Sequence, residues 1–280
     1  MKLLPMCYLP RVVLISNSKV QNLNIELFIN HNSPHVLNED KSLIYKMERI
    51  TINSDIPAMR FLGVFFDPSL NFKYHAEKIL SKISRSLYTL RCVKNFLTPK
   101  ALKSLYYSLI HCHLIYALPI WSVCSQKLKK EVFIKQKMAI RIVGGLKYND
   151  HTEPTFKKLQ ILPFPDLIEF FSMQFMHRFS QNFLPIAFND TWIKNILRRQ
   201  GDQQISLRND NDYYIEPSRT AQTSNYPLST FPQKWETLPI EISFTRNKIE
   251  FDAKLKKFFL DRLSDHIICT NLYCPSCSTR

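Results

Sequence analysis

The sequence has little glycine and no long apolar run. Its 280 residues include four glycines, of which only Gly144 and Gly145 are adjacent. Glycine-rich loops that cradle phosphates need several glycines at fixed spacing, so they are excluded. No apolar run reaches the roughly 18 residues of a membrane span, and Pro5, Pro10 and Arg11 interrupt the signal-like N-terminus. With seven cysteines, an odd number, we expect reduced thiols in a cytosolic or nuclear protein that is neither secreted nor membrane-spanning.

Acidic residues are almost absent from residues 72–147. This block holds fifteen lysines and arginines but only two acids, Glu77 and Glu131, and carries +13 of the chain's net charge of +15. Such a block is typical of proteins that bind a polyanion. Because the charge is confined to one block, nucleic acid is favoured over a face that serves only solubility.

Clustered carboxylates are also missing from the start of the chain. A polymerase or nuclease holds paired Mg²⁺ ions with such clusters. In the first 71 residues only Glu39 and Asp40 are adjacent, in a polar stretch, and Asp67-Pro68 is typical of a turn. We therefore expect no metal-dependent catalytic centre and assign no catalytic residue.

The residues that are present predict an α+β fold that is predominantly α. Short β-like runs occur at 11–15, 23–29 and 61–66, and longer stretches with helical periodicity follow them. The predicted organisation is a β-containing segment at 1–67, a basic helical domain at 68–147, a helical region at 148–263 with a surface loop at 199–232, and a cysteine-rich tail at 264–280.

Three helices are predicted in the basic domain, and two of them carry the candidate nucleic-acid contacts. The first spans about 74–94, the second begins after Thr98, and the third spans about 128–143 and stops at Gly144-Gly145. Cations flank the apolar stripe of the first helix at Lys78, Lys82 and Arg85. On the third helix a narrow ridge, within about 40° at 100° per residue, consists of Lys130, Lys137 and Arg141.

Aromatic residues inside the basic block could stack on bases. They are Tyr106, Tyr107, Tyr116 and Trp121. Most should be core residues, because the apolar face of the second helix is predicted to contain Leu102, Leu105, Tyr106, Leu109, His113 and Tyr116. Tyr107 and Trp121 are the better candidates for exposure, and Pro119 is expected to end or kink this helix.

The C-terminal tail contains four potential zinc ligands, His266, Cys269, Cys274 and Cys277. Their spacing, H-x2-C-x4-C-x2-C, offers the ligand types of a tetrahedral zinc site but matches no standard zinc finger. The alternative, which we favour, is an unstructured tail with ordinary thiols.

Several segments in order resemble one protein family. They are FLGV followed by Asp67, the basic helix, LTPKALKSLYYSLIHCHLIYALPIW, KQKMAIRIVGG, DHTEPTFKKLQILP and WETLPIEISFTRNKIEFDAKLKKFFL. Together they resemble the C-terminal part of the reverse transcriptases of jockey-like non-LTR (LINE) retrotransposons. The resemblance covers about residues 23–263.

The resemblance implies a specific function for each part. Phe61, Leu62 and Gly63 would belong to the primer-grip hairpin beside the primer terminus, and the basic helices would form the thumb that tracks a template–primer duplex. The family polymerises DNA with Mg²⁺ held by aspartates in an upstream Ala-Asp-Asp hairpin, a motif this sequence lacks. The expectation is a truncated element or partial reading frame that binds an RNA template, RNA–DNA hybrid or duplex DNA and does not polymerise on its own.

Two alternatives remain open at the level of sequence. One is a stand-alone or domesticated helical nucleic-acid-binding protein without enzymatic activity. The other is a degenerate product that binds no nucleic acid and whose exposed apolar surface reflects a missing palm.

Overall fold

The computed structural model describes residues 58–188, 191–192, 213–215 and 224–263. The described elements are mostly helices with one two-stranded antiparallel sheet, which confirms the predicted α+β, predominantly α class. The chain divides into two compact units, Met1–His75 and Ala76–Arg280. The β-like runs predicted at 11–15 and 23–29 lie outside the described residues.

A tight β-hairpin forms the described sheet of the first unit. Strand β1 (Met59–Phe61) pairs with β2 (Val64–Phe66), and Phe61 lies opposite Val64. The two turn residues, Leu62 and Gly63, have φ of 45° and 84°. Positive φ at both central positions is the signature of a type I′ turn, whose twist matches that of the strands. Glycine at the second position adopts it without strain.

Asp67 closes the turn that follows the hairpin, as the Asp-Pro sequence predicted. Its backbone carbonyl accepts a hydrogen bond from the Leu70 amide at 3.0 Å, and its Oδ1 accepts one from the Asn71 amide at 2.9 Å. The side chain is buried. Asp67 therefore has a structural partner for one carboxylate oxygen, which is the turn chemistry expected of Asp at this position.

The second helix begins at its predicted cap, Thr98. Helix α1 is Lys73–Val93, and α2 (Pro99–Tyr106) is capped by Thr98, whose side chain accepts from the Ala101 amide. The chain then makes a π-helical segment, Tyr107–His111, before α3 (Cys112–Ile115). A π turn inserts an extra residue into the helical repeat, and the buried face shifts accordingly to Ile110 and Leu114.

Two predictions about the second helix need correction: which residues it buries beyond the π turn, and where it ends. Leu109 and His113 are only partly buried, and Tyr116 is 52% exposed, because a uniform 3.6-residue period does not survive the π turn. The helix ends at Ile115, before the left-handed residue Ala117 (φ 50°), and Pro119 lies in the first turn of the next helix, α4 (Leu118–Trp121).

Trp121 is a core residue, so the prediction that it is exposed is wrong. It is fully buried, its ring stacks on Phe164 with centroids 5.5 Å apart, and its Nε1 donates to the Tyr116 carbonyl at 3.0 Å. The short helix α4 turns the Trp121 side chain inward, an orientation that helical periodicity carried on from α2 does not predict. The other candidate, Tyr107, is partly buried.

Three further helices follow α4, and the third of them carries Phe164, which stacks on Trp121. Helix α5 (Gln126–Gly144) is capped by Ser125 and ends at Gly145, which has a left-handed φ of 66°. It is followed by α6 (Glu153–Leu159) and α7 (Phe164–Ser180), separated near Pro163 as predicted. Helix α7 contacts α4 and α5 and is a central element of the second unit.

The last described segments complete the helical unit. Helices α8 (Pro227–Glu236), α9 (Ile240–Ser243) and α10 (Lys248–Arg262) follow, and the Asn247 side chain caps α10 by accepting from the Ile249 amide. The start of α8 lies within the range predicted as a surface loop, so that prediction is wrong from Pro227 onward. Pro227 occupies the first helical turn, where its missing N–H costs nothing. An apolar cluster lies between α7 and α8 and contains Met176, Trp192, Tyr213 and Phe231.

Arg262 joins α10 to α7 through two carboxylates. Its Nη2 lies 2.6 Å from Asp166 Oδ1 and 2.9 Å from Glu169 Oε2. Burial raises the pKa of Asp166, and the hydrogen bond from Arg262 offsets part of that rise. The guanidinium therefore favours the ionised form of a largely buried carboxylate.

We expect the substitution Arg262→Met to destabilise the protein by about 2 kcal/mol at pH 7, because it leaves a partly buried carboxylate without its cation. Without Arg262 the folded-state pKa of Asp166 rises further above its unfolded value, so the folded state takes up a proton as the pH falls. The destabilisation should therefore shrink toward pH 4. Urea titrations at several pH values measure it.

Lys254→Met on the same helix is the matched control, since Lys254 makes an exposed i,i+4 pair with Glu250 at 2.7 Å. It should cost less than about 1 kcal/mol. A loss for Arg262→Met that stays constant between pH 7 and pH 4 would contradict the proposed linkage.

Among the described residues, no helix is both long enough and apolar enough to cross a membrane.

Candidate nucleic-acid interface

The predicted cations of the first helix are all at the surface. Lys78, Lys82 and Arg85 are exposed on α1, and their i, i+4, i+7 spacing places them along one side of the helix. Over seven residues this row extends about 10 Å at 1.5 Å per residue. The row can therefore contact successive phosphates of one strand.

The predicted ridge on the third helix is only partly exposed. Lys130 is exposed, whereas Lys137 is half-buried with its Nζ 4.8 Å from the centre of the Phe133 ring. Arg141, also half-buried, donates from Nε to the Asp150 carbonyl at 3.3 Å. From Lys130 to Arg141 the ridge spans about 16 Å along α5. Lys130, nearer the N-terminal end of α5, presents an exposed ammonium group. Arg141, nearer the C-terminal end, is held by its hydrogen bond to the Asp150 carbonyl.

Arg141 also lines a groove that the sequence did not reveal. The groove has a volume of about 640 Å³ and lies between the C-terminal end of α1, the start of α2, the C-terminal end of α5 and α6. Four cations line it: Arg91, Lys94, Arg141 and Lys158. None of the described residues that line this basic groove is acidic, so its potential is strongly positive.

Close packing at the end of α5 shapes this groove. A Cβ atom on Gly144 would lie 2.6 Å from Thr155 Cγ2, so glycine lets α6 approach α5 closely. Gly145 then turns the chain in the left-handed conformation, and the Leu146 amide donates to the Arg141 carbonyl at 2.9 Å. This is a Schellman-type helix end. The Gly-Gly pair predicted as a helix stop thus also positions α6 and Lys158.

Sequence reasoning missed Arg91, Lys94, Lys158 and Tyr148 as site residues. Arg91 and Lys94 belong to the basic block, but helical periodicity alone does not show that the end of α1 meets the end of α5. Lys158 lies beyond the block. Tyr148 lines the groove and is 81% exposed. The one signal that could have found it was its place in a polar turn directly after the Gly-Gly stop.

The hairpin residues predicted as primer-grip elements belong to the first unit. Leu62 is 56% exposed at the tip of the turn, and Phe61 and Gly63 are partly buried. The Phe61 ring packs edge-on against Phe66 with centroids 6.4 Å apart. The hairpin therefore presents its backbone turn and one apolar side chain to solvent.

Burial favours the neutral form of two described side chains in the basic block, Cys124 and His113. Burial raises the pKa of Cys124 to about 11, which keeps it a neutral thiol. Burial and the nearby Lys82 lower the pKa of His113. No group of three or more His, Cys, Asp or Glu in the described part of the chain gathers where it could hold a metal ion. The candidate zinc ligands His266, Cys269, Cys274 and Cys277 lie outside the described residues.

Comparison of the chain with models of protein families, with curated proteins and with solved structures finds no match.

Proposed function

We propose that this chain is a nucleic-acid-binding part of a non-LTR retrotransposon reverse transcriptase, which holds a template–primer duplex and does not polymerise by itself. The observation that carries the proposal is the basic surface of the helical unit. Fifteen cations and two acids occupy residues 72–147. The lysines and arginines on α1 are exposed, and so is Lys130 on α5. A surface of this kind attracts the phosphate backbone whatever the base sequence.

The geometry supports contact with phosphates rather than with bases. Lysine and arginine side chains on the outer faces of helices reach phosphates and carry little sequence information. The α1 row and the α5 ridge are each a line of charge about 10 to 16 Å long. Rows of this length match several consecutive phosphates of a duplex, where charges recur every 1.7 Å or so along the axis.

The hairpin adds support for the reverse-transcriptase part of the proposal. The resemblance assigns Phe61, Leu62 and Gly63 to a primer-grip hairpin. Leu62 and Gly63 form the two-residue turn of a hairpin whose first strand ends at Phe61. Gly63, at φ 84°, has no side chain, so another backbone can approach the turn closely there.

Salt dependence tests the binding proposal. We expect binding to duplex DNA to be sequence-independent, with log Kd rising steeply with log salt. The triple variant Lys130→Gln, Lys137→Gln, Arg141→Gln should flatten this slope by up to about 2.7, which is about 0.9 for each phosphate that is no longer neutralised. Affinity should fall for all sequences about equally.

A matched triple variant controls for the change in net charge. Arg246→Gln, Lys248→Gln, Lys257→Gln also removes three cations, but outside the basic block. It should leave the slope nearly unchanged. Equal slopes for both triple variants would show that the ridge is not a contact surface. A template–primer RNA–DNA hybrid bound no more tightly than unrelated duplex DNA would favour a stand-alone nucleic-acid-binding protein.

A further inference from the structure

Tyr148 is an exposed aromatic residue on a rigid turn. The Asp150 amide donates to the Lys147 carbonyl at 3.2 Å, and the Lys147 amide donates to Asp150 Oδ2 at 2.8 Å. The Asp150 carbonyl in turn accepts from Arg141 Nε at 3.3 Å. Three hydrogen bonds thus fix the backbone on both sides of Tyr148, while 81% of the residue remains accessible.

A ring exposed to this extent contributes little to the protein's own core. The turn also ties up the acid two positions away, since Asp150 Oδ2 is engaged by the Lys147 amide. Fixing the backbone that carries an exposed ring reduces the entropy that a ligand must remove on binding. Proteins bind single-stranded nucleic acids through exposed aromatic rings beside cations. The bases stack on the rings, and the phosphates pair with the cations.

The size of the basic groove fits a single strand. Its volume of about 640 Å³ is in the range of sites that enclose a small molecule, which suits one or two nucleotides. Arg91 and Lys94 lie on the α1 side, and Arg141 and Lys158 on the α5–α6 side. Cations therefore line two sides of the groove, where they can pair with the phosphates that flank a base at Tyr148.

We propose that the basic groove binds a single-stranded segment of nucleic acid, with one base stacked on Tyr148 and the flanking phosphates held by Arg91, Lys94, Arg141 and Lys158. This proposal rests on the proposed nucleic-acid function and deepens it, because it adds a single-strand site to the duplex-binding surface of the α1 row and the α5 ridge. Stacking tolerates any base, so the site has little sequence preference.

The test compares a labelled oligodeoxythymidylate with a labelled blunt duplex of equal length, by fluorescence anisotropy at fixed salt. Tyr148→Leu should weaken single-strand binding roughly tenfold and leave duplex binding within about twofold, whereas Tyr148→Phe keeps the ring and should bind like the wild type. The double variant Lys94→Gln, Lys158→Gln should flatten the single-strand salt slope by about 1.4.

Phe183→Leu is the control for loss of an exposed aromatic residue, since Phe183 is 71% exposed and does not line the groove. It should leave both affinities unchanged. An unchanged single-strand affinity in Tyr148→Leu, or equal losses for strand and duplex, would overturn the single-strand site and leave the proposed function standing. A wild-type protein that binds neither ligand would overturn both proposals.

Discussion

Replacing Gln136 with leucine should lower the free energy of unfolding by about 4 kcal/mol, because buried polar groups would lose their partners. Gln136 is fully buried on α5, and its side-chain amide makes three hydrogen bonds. Nε2 donates to the Tyr106 hydroxyl and to the Leu162 carbonyl, both at 3.0 Å, and Oε1 accepts from the Phe164 amide at 2.7 Å. One side chain thus joins α2, α5 and the start of α7.

The cost arises from the partners that leucine leaves behind. Leucine has a similar volume but no polar atom, so the Phe164 N–H and the Leu162 C=O would be buried without a hydrogen bond. Each such group costs about 1–3 kcal/mol. Burial raises the pKa of Tyr106, so its hydroxyl stays protonated and also loses its donor. The loss therefore exceeds that of an ordinary core substitution of equal size.

Urea denaturation followed by circular dichroism measures this effect, and two variants make it specific. Gln126→Leu places the same substitution at an exposed position of α5 and should change stability by less than about 0.5 kcal/mol. Tyr106→Phe removes only the hydroxyl and leaves both backbone partners satisfied, so it should cost about 1 kcal/mol. If Gln136→Leu were no more destabilising than Gln126→Leu, the three hydrogen bonds would not be the source of stability.

The second large effect is a loss of stability in mild acid caused by His111. This histidine lies in the π-helical segment, with its ring 5.0 Å from that of Tyr107 and 5.9 Å from that of Tyr106. Its Nδ1 is buried without a hydrogen-bond partner. Burial, with a smaller contribution from the nearby Lys256, lowers the pKa of His111 to about 4.

The depressed pKa makes protonation favour the unfolded chain. In the unfolded chain His111 accepts a proton near pH 6.5, but in the folded protein it does so only near pH 4. Stability is therefore complete above about pH 6.5 and is lost progressively toward pH 4, by up to about 3 kcal/mol. Between pH 7 and pH 5 the loss should be about 2 kcal/mol.

His111→Phe keeps the ring contacts and removes the titration, so this variant should lose about 2 kcal/mol less than the wild type between pH 7 and pH 5. The control, His113→Phe, changes a more exposed histidine two positions away and should keep most of the wild-type acid dependence. Parallel pH profiles for the wild type and His111→Phe would assign the acid sensitivity to other groups.

Local signals were enough to predict several helix ends. Thr98 and Asn247 cap helices because their side-chain oxygens accept from the first free backbone amides. Gly145 ends α5 because glycine adopts positive φ without strain. Each of these effects involves residues within a few positions of one another, so sequence alone carries the information. The exposure of Lys78, Lys82 and Arg85 followed in the same way from helical period and charge.

Interactions between distant segments decided the rest. The π turn that buries Ile110 in place of Leu109, and the inward side of Trp121, depend on how α2, α4 and α7 pack. Glutamine is usually a surface residue, and Gln136 is buried because the backbone at Leu162 and Phe164 supplies partners for its polar atoms.

The composition and order of residues by themselves determined a predominantly helical, strongly basic protein with most of its net charge in residues 72–147. Only the tertiary structure brought Arg91 and Lys94 beside Arg141 and Lys158 and set Tyr148 among them. The reason is physical: charge and helical period are properties of neighbours in sequence, whereas a groove requires helix ends far apart in the chain to meet. Here that meeting depends on Gly144, where the absence of a side chain lets α6 pack against α5.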